Sequence, residues 1–251
     1  MPQWEDEGIL ISLRPYQDHA ALASVLTAHH GRHAGLVRSL RRAPLVGSLV
    51  DAQWRGRLSE HLGNYQLEPR QVFAAPIFAA PLRLLCLQCV CAMIDVGLPE
   101  RASDERFYLQ TKAFFSKLED EHWLSFYALW ELAFIETLGF GLDLAACALT
   151  GVRENLAYIS PRTGRAVTRE AARPWARRLL PLPALFLLGE PTGALDTDWD
   201  QALRGLQTTG YFLHYRALEG APARIHQARR QLIRRLRRAP SPQGHTQSPA
   251  A

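Results

Sequence analysis

The chain has 251 residues, of which 47% are hydrophobic and 21% charged, and its formal net charge is +5. A length of this kind holds one large domain or two to three small ones, domains clustering at about 100 to 150 residues, and the composition excludes disorder as the main state. Three of the four cysteines, Cys86, Cys89 and Cys91, sit close together and Cys147 stands alone, a poor layout for a disulfide framework, so a reducing compartment is expected.

The first residues include the acidic run Trp4-Glu5-Asp6-Glu7 where an export signal would be basic. The most apolar stretches, 82–98 and 179–189, are interrupted by Arg83, Gln88 and Asp95 or by prolines and fall short of about 20 clean residues. A cytoplasmic protein without a membrane segment is therefore expected. Charge is segregated along the chain. Residues 92–143 hold 4 basic and 10 acidic groups, 144–181 hold 7 and 2, and 224–238 hold 7 and none. Lysine occurs only at Lys112 and Lys117. Arginine's planar guanidinium suits bidentate phosphate contacts, although a GC-rich genome gives the same bias.

In chain order, 8–13 alternates as a strand does, with Ile9, Ile11 and Leu13 on one side and Leu10 and Ser12 on the other, and it stops at Arg14-Pro15. Further strands are predicted at 20–27, 33–38, 50–58 and 65–74, with a turn at His29-His30-Gly31-Arg32 and a bulge or bend at Gly35. Five short strands without a strong amphipathic helix among them predict a small barrel of the oligonucleotide-binding (OB) class, with an SH3-like barrel as the alternative. Its loops and strands carry Arg32, Arg38, Arg41, Arg42, Arg55 and Arg57 against one acid, Asp51, between 32 and 57. Trp54 and Tyr65 are candidate stacking faces, but core positions are the preferred reading. The arginines are candidate phosphate contacts.

After Pro76 and Pro81 the period becomes helical. Leu82, Leu85, Cys86, Cys89, Val90 and Met93 share a face until Gly97-Leu98-Pro99, so the three cysteines are read as core. Helices follow at 104–118, 122–138, 199–218 and 222–238. In the last, Ile225, Ala228, Leu232 and Leu236 form a stripe among seven arginines. Gly139 and Gly141 end a helix, and Tyr158-Ile159-Ser160-Pro161-Arg162-Thr163-Gly164-Arg165 reads as a tight turn presenting Arg162, Arg165 and Arg169, with Arg173, Arg177 and Arg178 beyond. From Pro240 the composition predicts a disordered tail.

No phosphate loop, dinucleotide fingerprint, HExxH or GxSxG is present. Ser160 and His214 lack partners at sequence level, so no catalytic residue is assigned. Glu119-Asp120-Glu121-His122 is read as a helix start stabilised by its dipole rather than as a nuclease metal site. A metal-assisted nuclease and a sequence-specific regulator are the competing readings.

Several segments together resemble the RecO family of bacterial recombination mediators and DNA repair proteins. They are Trp4, Glu7-Gly8-Ile9-Leu10, Leu26-Thr27, Gly31-Arg32, Gly35-Leu36-Val37-Arg38, Arg41-Arg42, Leu98-Pro99-Glu100, Glu131, Leu138-Gly139-Phe140-Gly141-Leu142-Asp143-Leu144, Cys147, Gly151, Tyr158-Ile159-Ser160-Pro161 and Leu182-Pro183. The resemblance runs from Trp4 to Arg238. It implies an α+β protein with an N-terminal OB-fold β-barrel (1–78), an α-helical domain in two parts (79–145 and 169–238), a zinc-finger-like insert (146–168) and a tail (239–251). It also implies a non-enzymatic role: binding single- and double-stranded DNA, annealing strands coated with single-stranded DNA-binding protein (SSB), docking the SSB tail, and helping RecR load RecA at the nucleoid during repair. Zinc-bearing members supply two CxxC pairs from the insert. Here Thr150, Val167 and Glu170 stand at the expected cysteine positions beside Cys147, so the insert is expected to be degenerate and metal-free, with no cofactor.

Overall fold

The computed structural model describes residues 2–16, 19–58 and 61–239, without the side chains of Arg42 and Arg224. Apart from Ala239, the expected tail lies outside the described residues. The chain divides into two compact units, one formed by 1–119 with 221–232 and the other by 120–220 with 233–251.

In the first unit five strands close into a barrel: β1 (Gln3–Tyr16), β2 (Ala20–Thr27), β3 (Gly31–Val37), β4 (Ser48–Arg55) and β5 (Gly63–Val72). The strand order is β1-β2-β3-β5-β4, and β1 closes the ring by pairing antiparallel with both β2 and β4. All neighbours are antiparallel except β3 and β5, which run parallel through Gly35 and Leu36. This is the five-stranded OB barrel expected from the strand pattern.

The inward layer contains Leu10, Ala23, Val25, Val50, Ala52, Trp54 and Tyr65, with Leu13 packed against it. The simple alternation predicted for β1 therefore fails at one point. A bulge between Leu10 and Ser12 resets the phase, so Leu13 joins Leu10 on the barrel side instead of following Ile9 and Ile11. Ile9 and Ile11 are buried too, because α1 (Pro81–Gly97) packs on β1. Gly35 is not at a bulge: β3 pairs with β2 in unbroken register from Gly31 to Val37. Its role is close approach, since a Cβ there would lie 2.5 Å from the Tyr65 ring and 3.2 Å from Trp54.

Helix α1 begins with Pro81 and buries Cys86, Cys89 and Cys91 in the core, none of them in a disulfide. Helix α2 (Glu105–Ser116) is capped by Asp104, whose carboxylate accepts from the Phe107 N–H at 2.9 Å.

In the second unit α3 (Trp123–Ile135) is apolar on nearly every side and lies against α5 (Leu195–Phe212), with the short α4 (Ala184–Leu188) packed on both. Glu131, fully buried on α3, accepts from the Tyr127 hydroxyl at 2.5 Å and from the Thr209 hydroxyl of α5. Thus the acid that α3 buries against α5 is hydrogen-bonded. A small sheet of order β7-β6-β8 (β6 Leu156–Ile159, β7 Ala166–Thr168, β8 Leu180–Pro181) occupies the segment read as a turn and basic run. The last helix, α6 (Ala223–Leu236), belongs to the first unit up to Leu232 and buries Ile225, Leu232 and Leu236 of its predicted stripe, with Ala228 partly buried. Among the described residues, no helix is long and apolar enough to cross a membrane.

Candidate nucleic-acid interface

The period of two on paired strands sorts the barrel's functional side chains. Trp54 on β4 lies opposite Tyr65 on β5, and both point into the core at 1% and 5% exposure. Their outward neighbours pair as Gln53 with Gln66 and Arg55 with Asn64. These four polar residues, together with Arg38 and Ser39 beyond the end of β3, line an open cavity of about 400 Å³. No carboxylate lines it. The two guanidiniums suit phosphate oxygens, and the three amides offer both donors and acceptors to a base edge. Sequence reasoning found Arg38 and Arg55 but missed Gln53, Asn64 and Gln66, whose signal is the register of β4 on β5.

Arg41 sits on a 3-10 turn (Leu40–Arg42) after β3, and Arg57 follows β4; both are exposed. Among the described residues none of Arg38, Arg41, Arg55 and Arg57 has a carboxylate partner. The Arg42 side chain lies outside the described residues. Arg32 behaves differently. Its side chain is only 13% exposed, its Nε donates to the Leu98 carbonyl at 2.9 Å, and its Nη1 lies 3.4 Å from Glu100 and 3.8 Å from Asp95. That guanidinium is engaged within the first unit rather than offered to phosphate.

At the edge of the barrel core, Trp4 stacks on His30 at 4.0 Å, and His33 meets Trp4 and Trp54 edge-on. Burial, with Arg101 and His30 nearby, brings the His33 pKa down to about 4. Burial opposes ionisation of Asp6, but hydrogen bonds from the His29 N–H and from the His29 and His30 rings outweigh it and hold the carboxyl below its ordinary value.

In the second unit Arg162, Arg165 and Arg169 are all exposed, the Arg165 side chain at 48%. Gly164 adopts φ 69, as the predicted turn requires, and donates to the Ser160 carbonyl at 2.9 Å. The Leu142-Asp143-Leu144 segment clamps this turn. The Asp143 backbone exchanges hydrogen bonds with Gly164 and Ala166, while its carboxylate pairs with Arg165 at 3.1 Å. Ser160 Oγ accepts from the Thr163 N–H at 3.3 Å, a turn contact that gives the hydroxyl a structural role.

Cys147 lies against β7 in a cluster with Val167 and Ala172. Its Sγ accepts from the Thr168 N–H at 3.4 Å and sits 3.7 Å from the Thr168 hydroxyl. Thr168 thus hydrogen-bonds Cys147, and Val167 packs beside the same sulfur in the apolar cluster. Burial disfavours the thiolate, yet hydrogen bonds from the Thr150 side chain and from the backbone N–H groups of Thr168, Leu149 and Thr150 bring its pKa down to about 6. Hydroxyls and amides around one sulfur are not a zinc donor set, which needs four thiolate, imidazole or carboxylate ligands. Among the described residues no three metal-ligating side chains converge.

His122 faces Asp198 at 3.1 Å, a pair the sequence reading did not find. Asp198 also accepts from the Thr192 and Gly193 N–H groups and the Thr192 hydroxyl, so its carboxylate fastens the loop before α5.

Compared with known proteins, residues 1–73 match the family description "Recombination protein O N terminal" and residues 79–224 match "Recombination protein O C terminal". A DNA repair protein RecO of Rhodospirillum centenum is 41% identical over 254 residues, covering 98% of this chain and all of that protein. One from Cereibacter sphaeroides is 42% identical over 248 residues, covering 95% and 100%, and one from Jannaschia sp. is 44% identical over 216 residues, covering 84% and 86%. With an OB barrel at its N-terminus and both family regions matched across nearly its whole length, the chain belongs to the RecO family of DNA repair and recombination proteins.

Proposed function

We propose that this protein is a non-enzymatic recombination mediator that binds single- and double-stranded DNA through the cationic face of its barrel. The observation that carries this reading is the cavity between Arg38 and Arg55, lined by amides and free of carboxylates, with Arg41 and Arg57 exposed and without carboxylate partners among the described residues. Phosphate neutralisation by such a face releases counterions and is indifferent to sequence. Arg162 and Arg169 give the second unit a DNA contact of its own, with Arg165 shared between Asp143 and phosphate. Arg32 is left out of this set because its guanidinium is already engaged.

The test is oligonucleotide affinity as a function of salt. The double variant Arg38→Gln/Arg55→Gln should bind more weakly at low salt, and its log-log salt slope for single strands should fall by about 0.7 for each phosphate that it no longer neutralises. Wild-type affinity and slope in that variant would remove the cavity from the binding site. Marked dependence on base sequence would favour a regulator instead.

Family membership supports the finer reading that we also propose: annealing of SSB-coated complementary strands, docking of the SSB tail, and cooperation with RecR in loading RecA. For the insert we propose a metal-free structure. Hydrogen bonds from Thr150 and Thr168 to Cys147, and the packing of Val167 and Ala172, do the work that zinc does in relatives bearing two CxxC pairs.

A further inference from the structure

The turn that follows β7 carries the most exposed tryptophan of the protein. Of the six tryptophans, Trp54, Trp123, Trp130 and Trp199 are buried and Trp4 is half-buried, whereas Trp175 is 49% exposed. Its backbone is held on both sides: its N–H donates to the carbonyl of buried Ala172 at 2.8 Å, and its carbonyl accepts from the Arg178 N–H at 2.7 Å. Near it in sequence, Arg169, Arg173, Arg177 and Arg178 are all exposed. Among the described residues none of the four has a carboxylate partner, and Trp175 stacks on no other ring. Between 165 and 182 the only acid is Glu170.

One exposed ring is ordinary on a protein surface; what sets Trp175 apart is the set of cations beside it in sequence. The centre of a protein-binding patch is depleted of charged residues, but here the ring is flanked in sequence by guanidiniums. An aromatic face beside unpaired cations is the arrangement that holds a single strand, the ring stacking on a base and the cations following its phosphates.

We propose that Trp175 is a base-stacking platform for single-stranded nucleic acid, with Arg173, Arg177 and Arg178 on the flanking phosphates. This deepens the DNA-binding reading and rests on it, but it places a second contact in the second unit and carries a spectroscopic signature that the barrel does not. Base stacking quenches indole fluorescence, and Trp175 is the most accessible reporter in the chain.

The experiment titrates the full-length protein with oligothymidylate while following tryptophan fluorescence, with a matched abasic deoxyribose-phosphate oligomer as control. Quenching is expected with oligothymidylate, little with the abasic oligomer, and the oligothymidylate signal should vanish in Trp175→Phe. Trp175→Ala should bind oligothymidylate about tenfold more weakly, and Arg177→Glu should weaken both oligomers. Circular dichroism verifies that each variant is folded. Undiminished quenching in Trp175→Phe, or unchanged affinity in Trp175→Ala, overturns the proposal; so does a response to an acidic peptide without one to oligothymidylate. If Trp175→Ala binds normally while Arg38→Gln/Arg55→Gln does not, the stacking platform alone fails. If both variants bind normally, the DNA reading of both surfaces fails.

Discussion

His33 and Arg32, neighbours on β3, are both drawn out of solvent by the fold, with different consequences. Arg32 meets Glu100, Asp95 and the Leu98 carbonyl. His33, 4% exposed among aromatic rings, stays neutral. The folded-state pKa of about 4 lies below the ordinary 6.5, so the unfolded chain binds the proton more readily. The stabilisation from a neutral His33 is fully present above about pH 6.5 and is lost as the pH falls to about 4. A shift of this size corresponds to roughly 3 kcal/mol. Asp6 adds to the acid sensitivity at lower pH, because its depressed pKa makes its contribution disappear below the ordinary carboxylate value. Denaturant titrations from pH 7 to pH 4 should show stability falling through this window, and His33→Gln should be less stable at pH 7 but have a shallower acid limb. A variant limb as steep as wild type would assign the acid sensitivity elsewhere.

At the scale of elements, tight contacts replace features that local pattern suggests. Gly35 looks like a bend, yet it lets the Tyr65 ring lie against β3 where β3 meets β5. The Leu138 to Leu144 motif ends a helix at Gly139 as its glycines suggest, and beyond that end Asp143 also holds residues 164–166 through its backbone and its carboxylate. Around Cys147 a hydrogen-bonded sulfur and a small apolar cluster hold the segment together. Elemental analysis of the purified protein should therefore give zinc far below one atom per chain, and prolonged chelator treatment should leave the thermal midpoint unchanged. Stoichiometric zinc, removed together with stability on chelation, would show that the insert recruits ligands other than Cys147 and its neighbours.

For the whole molecule, segregated charge is the main functional lever. A net +5 is modest, but the acid-free barrel cavity and the arginine-rich turn after β7 concentrate it, while residues 92–143 carry an acidic excess. Such surfaces bind a polyanion strongly at low salt and release it as salt rises. Complementary strands coated with the cognate SSB should anneal faster in its presence, without ATP, and SSB lacking its tail should reduce the effect. Annealing that requires nucleotide, or cleavage of labelled strands in magnesium that survives purification, would argue for an enzyme instead.

The sequence by itself determined the elements whose signal is local and repeated. These are five short strands, the apolar helix bearing Cys86, Cys89 and Cys91, the stripe of α6, the turn at Gly164 and the family's motifs, because periodicity and turn chemistry depend on near neighbours alone. It also marked Trp54 and Tyr65 as core positions in preference to stacking faces. Tertiary structure decided the rest. The bulge in β1 moves Leu13 to the barrel side, and the β4 to β5 register brings Asn64 beside Arg55. Packing turns Arg32 inward and leaves Trp175 in solvent. Each of these outcomes depends on residues far apart in the chain, and a one-residue change of register or a distant carboxylate is invisible to a pattern read along the backbone. The cations could be counted from the sequence, but the fold decided which of them, Arg32 among them, are met by carboxylates.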